Sequence, residues 1–257
     1  MTEEVYTQLL ADGFGTRGKA IAFSQYPQYS CGTTGSSINE LYRAQQKLKP
    51  STSSSGEVGI DWSIIDRWPL HPKFIEAVAR NITDSLATFP EDKRSKVTIL
   101  FSAHSQPMKA VYQGDAYTSE VAASVHATMQ RLTVPNPYRL CWQSKVGPQP
   151  WMGPQTTDVV QSFIEQGDPH LLLVPIAFTS DHVETLFELD EELIGESGLG
   201  ATIKRAASLN DSPLFLEALA EIAKAHIEGG EKSSGQFGNR CLGCKKPVCA
   251  SAREMFA

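Results

Sequence analysis

Three groups of residues in this chain have types and spacings able to do chemistry. The first is His104, in the run Ser102-Ala103-His104-Ser105 directly after the apolar TILF (98–101). An imidazole titrates ordinarily near pH ~6.5, which suits a proton acceptor, and loops at strand ends host reacting groups disproportionately. A structural histidine hydrogen-bonded within its loop has the same local sequence. The second group is Asp181-His182-x-Glu184-x3-Glu188-x-Asp190, after LLLVPIAF (171–178). Asp181, Glu184 and Glu188 fall at i, i+3 and i+7, so on a helix they form one stripe of carboxylates able to relay protons or a hydrated divalent metal. A helix beginning near Asp181 explains the first two otherwise, as an N-cap and its capping-box partner. The third group is Cys241, Cys244 and Cys249, spaced C-x2-C-x4-C. A pair two residues apart with a third thiol close by is a chelating pattern one ligand short of four. Cys31, in the loop-like YSCGTTG, is better placed to be the fourth than Cys141, which lies in a strand between Leu140 and Trp142. Zinc and an iron–sulfur cluster both accept four thiolates, and spacing does not separate them.

These groups need a frame. KAIAFSQY (19–26), KVTILFS (96–102), YRLCWQS (138–144) and LLLVPIAF (171–178) predict strands, the second and fourth apolar enough to be buried on both faces of a parallel sheet. Helical periodicity falls at 72–89, 117–131, 155–167, 182–197 and 213–228, which gives strand–helix alternation and a doubly wound α/β architecture. In such sheets ligands sit beyond the carboxyl ends of the strands. Tyr26 to Ser37, Ser102 to Met108 and Thr179 to Glu188 fall at such ends. KPSTSSSGEVG (49–59) reads as a flexible surface insertion, and EGGEKSSGQFGNR (228–240) as a tether for the cysteines.

Composition narrows the classes. A length of 257 residues allows one large or two modest domains, and a net charge of −6 with pI near 5.6 lacks the basic footprint of a nucleic-acid binder. No apolar stretch approaches the length of a membrane span. MTEEVYTQLLADGF has neither a signal-peptide nor an Arg-rich transit pattern, so the expectation is either that the protein stays where it is made or that this sequence begins after the targeting region. Five cysteines, three of them crowded near the C-terminus, suit metal ligation in a reducing compartment.

Across nearly the whole chain, KAIAFSQYPQYS, IDRWP, FSAHS, PYRLCWQSKVGPQPW, GPQT, AFTSDHVETLFELD and SLN resemble ferrochelatases of the animal and fungal type. The resemblance implies two Rossmann-like, chelatase-type halves with parallel sheets flanked by helices. Residues 1–66 would be a partial first half, 67–228 the second half with the catalytic residues, and 229–257 an iron–sulfur tail. The front of the first half, with a Gly-rich loop and one apolar lip, would be missing. It further implies insertion of ferrous iron into protoporphyrin IX with release of two protons. A [2Fe–2S] cluster would sit on Cys31, Cys241, Cys244 and Cys249, with Cys141 left in the core.

By the same resemblance His104 is the pyrrole-proton acceptor and Glu184 its carboxylate partner, with Asp181 and Glu188 extending the carboxylate line. Tyr26, Trp68 and His71 lie on the metal-access side, with Glu221 standing where Asp is usual. Trp151, Met152 and Phe178 would wall the macrocycle. WQSKVGPQPWM (142–152) would be an apolar lip on a membrane, weakened by Gln106 and Gln149. Homodimerisation, peripheral attachment to the matrix side of the mitochondrial inner membrane, and no nucleic-acid partner complete the expectation. Two other readings compete: a catalytically silent porphyrin- or partner-binding form, and a zinc or redox module using only the cysteines.

Overall fold

The computed structural model describes residues 2–48, 59–167, 170–237, 243–244 and 247–256. All but the last residue of the Ser/Gly-rich stretch 49–59 therefore lies outside the described residues. In chain order the elements are α1 (Thr2–Ala11), β1 (Thr16–Phe23), α2 (Thr34–Leu48), β2 (Gly59–Ile65), α3 (Pro72–Ala87), β3 (Thr98–His104), α4 (Met108–Tyr112), α5 (Tyr117–Arg131), β4 (Tyr138–Gln143), α6 (Thr156–Glu165), β5 (Leu171–Pro175) and α7 (Val183–Thr185). A π-helix (Leu186–Gly195), β6 (Ile203–Arg205), α8 (Pro213–Gly229) and α9 (Val248–Glu254) follow. The chain divides into two compact units, Met1–Trp68 with Gln113–Ala116 and Ala223–Ala257, and Pro69–Tyr112 with Tyr117–Ile222.

In the first unit β1 and β2 pair in parallel, from Lys19↔Asp61 to Phe23↔Ile65. β2 was not among the predicted strands. Its Ile60, Trp62 and Ile64 are buried while Asp61 is exposed, the alternation of a half-buried strand, which the adjoining Ser/Gly stretch obscures in the sequence. Tyr6, Tyr29, Ile38, Leu41, Ile60, Trp62 and Ile64 form one cluster with Phe237, Ala252 and Phe256 from the C-terminal residues. Within the stretch that composition reads as a tether, residues 232–237 are therefore fastened down, while 238–240 lie outside the described residues. The Ile64 N–H donates to the Lys232 carbonyl at 2.7 Å, and the buried Asp66 carboxylate accepts from Ser234 N–H at 3.1 Å and Ser234 Oγ at 3.0 Å.

The second unit is a four-stranded parallel sheet in the order β4-β3-β5-β6. Parallel neighbours need crossovers, and α5, α6 and the π-helix lie in the connections that follow β3, β4 and β5. Ile99 to Ala103 of the central strand are buried throughout, as its apolar run requires. Leu100, Cys141, Leu171, Leu173 and Ile203 of the four strands share a core with Val159 and Val160 of α6 and Leu189 of the π-helix. The predicted α/β architecture holds, and a helix was expected over 182–197. Most of it is wound as a π-helix, a rare form that concentrates at functional sites.

Candidate active site and cysteine region

His104 ends β3, and its Nδ1 lies 2.5 Å from the Ser105 carbonyl. A carbonyl only accepts, so the Nδ1 proton is committed there and Nε2 carries the free lone pair. That Nε2 stands 3.3 Å from Glu184 Oε1. The Trp151 ring lies beside the imidazole, its centroid 6.4 Å away, and Trp151 is held by an antiparallel bridge to Pro107. Phe178 meets the His182 ring edge to face at 4.8 Å, and His182 Nε2 is 4.0 Å from Glu184 Oε2. One half-buried carboxylate thus faces two imidazoles bordered by aromatic rings.

The capping expected of Asp181 and Glu184 is made by other residues. His182 is the N-cap of α7: its Nδ1 accepts the Glu184 N–H at 3.1 Å, and Thr185 Oγ1 accepts the His182 N–H at 3.0 Å. Thr185 occupies the place foreseen for Glu184, which leaves the Glu184 carboxylate free to face His104. Asp181 is turned elsewhere. It accepts from Arg205 Nη1 at 3.0 Å and Asn210 Nδ2 at 2.9 Å. Partial burial alone would raise its carboxyl, but Asn210, Ser208, the Arg205 charge and Thr185 together hold it below the ordinary value. Arg205 also grips Asp190 bidentately, at 2.7 and 2.8 Å, so one guanidinium ties both ends of the segment that carries Glu184 and Glu188. Glu188 accepts from Ser144 Oγ at 2.6 Å and Gln143 Nε2 at 3.3 Å.

His71 and Glu221 form a second pair, at 3.9 Å. Lys73 lies 2.8 Å from both Glu221 and Glu217. Burial lowers the His71 pKa, Glu221 opposes this and Lys73 adds to it; the net shift is downward and keeps the imidazole neutral, the form that can ligate a cation. Its Nδ1 is buried without a hydrogen-bond partner. In the first unit Tyr26 and Trp68 both bond to Ser24, the residue after β1. The Trp68 indole donates to the Ser24 carbonyl at 2.9 Å, and the Tyr26 N–H donates to Ser24 Oγ at 3.3 Å. Trp68 is buried and Tyr26 is 47% exposed. Residues 145–150 are exposed, Val146 and Gln149 among them, whereas Gln106 is buried and is not part of a surface lip.

Cys241 lies outside the described residues, and among these no three His, Cys, Asp or Glu side chains could together hold a metal ion. Cys31, Cys244 and Cys249 are partly exposed cysteines of the first unit. One short segment connects two of their neighbourhoods: the Cys31 N–H donates to Asp115 Oδ2 at 2.8 Å, and the Gly243 N–H donates to the Gln113 carbonyl at 3.1 Å. A Cβ at Gly243 would stand 3.2 Å from that carbonyl, so glycine permits the approach. Cys249 Sγ accepts from Asn39 Nδ2 of α2 at 3.3 Å. Cys141 differs in kind, because burial pushes its thiol up to about 11, and a thiol kept protonated is a poor ligand. By residue type the three described thiols suit thiolate ligation, but the described residues do not bring three such groups together around one ion.

His182, Gln143 and Ser144 were not chosen from the sequence, although all three lie within the motifs quoted above. The signal for His182 was its place between a buried strand and a helix, where Asp181 looked the better cap.

The fold matches a known class. SirB from Bacillus subtilis, solved with Fe3+, superposes with a TM-score of 0.59 over 88% of this chain and 79% of its own; at 11% identity the likeness is one of fold. The ferrochelatase family pattern matches residues 1–227, and the chain belongs to that family. It is 49% identical over 262 residues to the mitochondrial ferrochelatase of Homo sapiens, 48% over 266 to that of Xenopus laevis and 45% over 239 to that of Schizosaccharomyces pombe. These alignments cover 100%, 100% and 93% of this chain but 59%, 61% and 55% of the relatives. The chain thus spans about three fifths of the curated proteins it matches.

Proposed function

We propose that this chain carries the proton-accepting and metal-handling machinery of a ferrochelatase, which inserts ferrous iron into protoporphyrin IX to give protohaem. The observation that carries the reading is the approach of His104 Nε2 to Glu184 Oε1 at 3.3 Å, beyond the carboxyl ends of two adjacent strands. As iron enters, four Fe–N bonds form and two pyrrole N–H bonds break. The neutral porphyrin and the dication yield neutral haem and two protons. The two protons pass one after the other to the His104 lone pair; each time Glu184 stabilises the imidazolium, and the first proton leaves through Glu184 to water before the second is taken. Trp151 and Phe178 supply rigid walls against which the macrocycle is held. Neutral His71 with Glu221 offers a nitrogen and an oxygen ligand suited to take the place of water on the metal, while Tyr26 and Trp68 are assigned to metal access by the resemblance alone.

Cys31, Cys241, Cys244 and Cys249 are proposed to hold a [2Fe–2S] cluster, and the ties of Cys31 and Gly243 to the 113–115 segment support this. When bound, such a cluster would cross-link the front of the unit to its C-terminal residues. Residence in mitochondria follows the names of the relatives. Attachment to the matrix face of the inner membrane and homodimerisation are proposed from the resemblance alone. No described helix is long and apolar enough to cross a membrane.

The test is loss of free-porphyrin fluorescence with anaerobic ferrous iron, measured for this chain and for one extended to the length of its relatives. Metallation by either, abolished by His104→Ala, supports the proposal. Porphyrin binding without metallation by both would support the silent binding form instead.

A further inference from the structure

Gln143 is the last residue of β4 and faces His104 directly across the β3–β4 ladder. Its carbonyl accepts the Ser105 N–H at 2.7 Å, so its backbone fixes the residue after the histidine. Its buried side chain is engaged at both ends. Oε1 accepts the Ser102 hydroxyl at 2.7 Å, while Nε2 donates to the Glu184 carbonyl at 2.6 Å and to Glu188 Oε2 at 3.3 Å. Ser144, held at a φ of 61°, sends its hydroxyl to the same Glu188 oxygen at 2.6 Å.

We infer that Gln143 is a positioning residue for metal insertion, spanning from the strand of His104 to the turn of Glu184 and thereby setting the separation of the pair. Ser144 assists by fixing Glu188. The inference rests on reading His104–Glu184 as the proton-accepting pair. The chemistry calls for an amide, because this place needs an acceptor at one end and a donor at the other, without charge. A carboxylate would meet Glu188 with like charge, and an apolar side chain would leave the part-buried Glu184 carbonyl without its donor. Misplacement of a reacting group by about 1 Å can cost on the order of a hundredfold in rate.

The experiment compares wild type with Gln143→Glu, Gln143→Met and the milder Ser144→Ala. The expected result for both Gln143 variants is a kcat lower by about 10- to 100-fold with little change in KM for porphyrin. Ser144→Ala, on a partly exposed residue, should fold normally and lose rate by a smaller factor. A second arm needs no activity: crystal structures of wild type and Gln143→Met should show His104 Nε2 and Glu184 Oε1 moved apart from 3.3 Å. If Gln143→Met does not fold, Gln143→Glu, which keeps the volume and the acceptor for Ser102, takes its place in both arms. Unchanged separation overturns the inference, as does a kcat loss no greater than the loss of folded protein. Absence of metallation by wild type would sink the proposed function and leave the separation to decide the role of Gln143.

Discussion

Glu184 faces His104 at 3.3 Å because a different residue, His182, caps the helix on which Glu184 rides. Had Glu184 closed the capping box, its carboxylate would have been turned back onto the backbone. Its release is what makes an acid–base pair out of two residues lying eighty positions apart.

His104→Ala is expected to lower metallation by about 10²- to 10⁴-fold, the usual worth of a positioned acid–base group. Its side chain is 37% exposed, so the thermal midpoint should stay close to wild type. Glu184→Gln should slow turnover strongly while porphyrin binding, followed by fluorescence quenching, changes little. A His104→Ala protein with near-normal turnover would reduce that residue to a structural loop histidine.

Arg205→Met removes the guanidinium that joins Asp181 to Asp190. The side chain is 10% exposed and its partners are 24% and 33% exposed, so the two carboxylates left behind are partly solvated. The expected loss is about 2–3 kcal/mol, below the ~3–5 kcal/mol of a fully buried pair, read from urea midpoints. Because the clamp brackets Glu184 and Glu188, turnover should fall as well. A midpoint equal to wild type would show that the clamp carries no stability.

Two groups should shape stability in acid, in separate windows. His71 has its folded pKa below the ordinary 6.5, so the unfolded chain takes up the proton first, and stability declines as pH falls from 6.5 toward the folded value. Asp181 has its folded pKa below 3.8; its contribution is complete above 3.8 and is lost as pH falls through the folded value. His71→Leu should remove the upper step and Asp181→Asn the lower one in urea unfolding followed from pH 8 to pH 3. A pH profile identical to wild type in either variant contradicts the corresponding assignment.

Cys31→Ser and Cys244→Ser should both abolish the visible charge-transfer bands of anaerobically purified protein, and Cys141→Ser should leave them. Asp115→Ala, which takes away the acceptor for the Cys31 N–H, should lower iron and sulfide content per chain without touching a ligand. Bands that vanish in Cys141→Ser and persist in Cys31→Ser would reverse the ligand assignment, and a colourless, zinc-containing wild type would replace the cluster with a zinc site.

The amino-acid sequence by itself determined the parallel α/β class, the buried runs TILF and LLLVP, and the polar clusters at strand ends that hold His104 and Glu184, because each is written in local period and residue type. β2 escaped notice although its Ile-x-Trp-x-Ile alternation was present, since a short half-buried strand beside a Ser/Gly stretch gives little local signal. What only tertiary structure decided were the partners brought from far along the chain. Arg205 pairs with Asp181, and Ser234 fastens the C-terminal residues to Asp66. Gln143 joins β3 to the Glu184 turn. No periodicity encodes which carboxylate a guanidinium 24 positions later will claim, or which of Asp181 and His182 will cap a helix. Those choices are made when the strands come into register and each buried donor must find an acceptor.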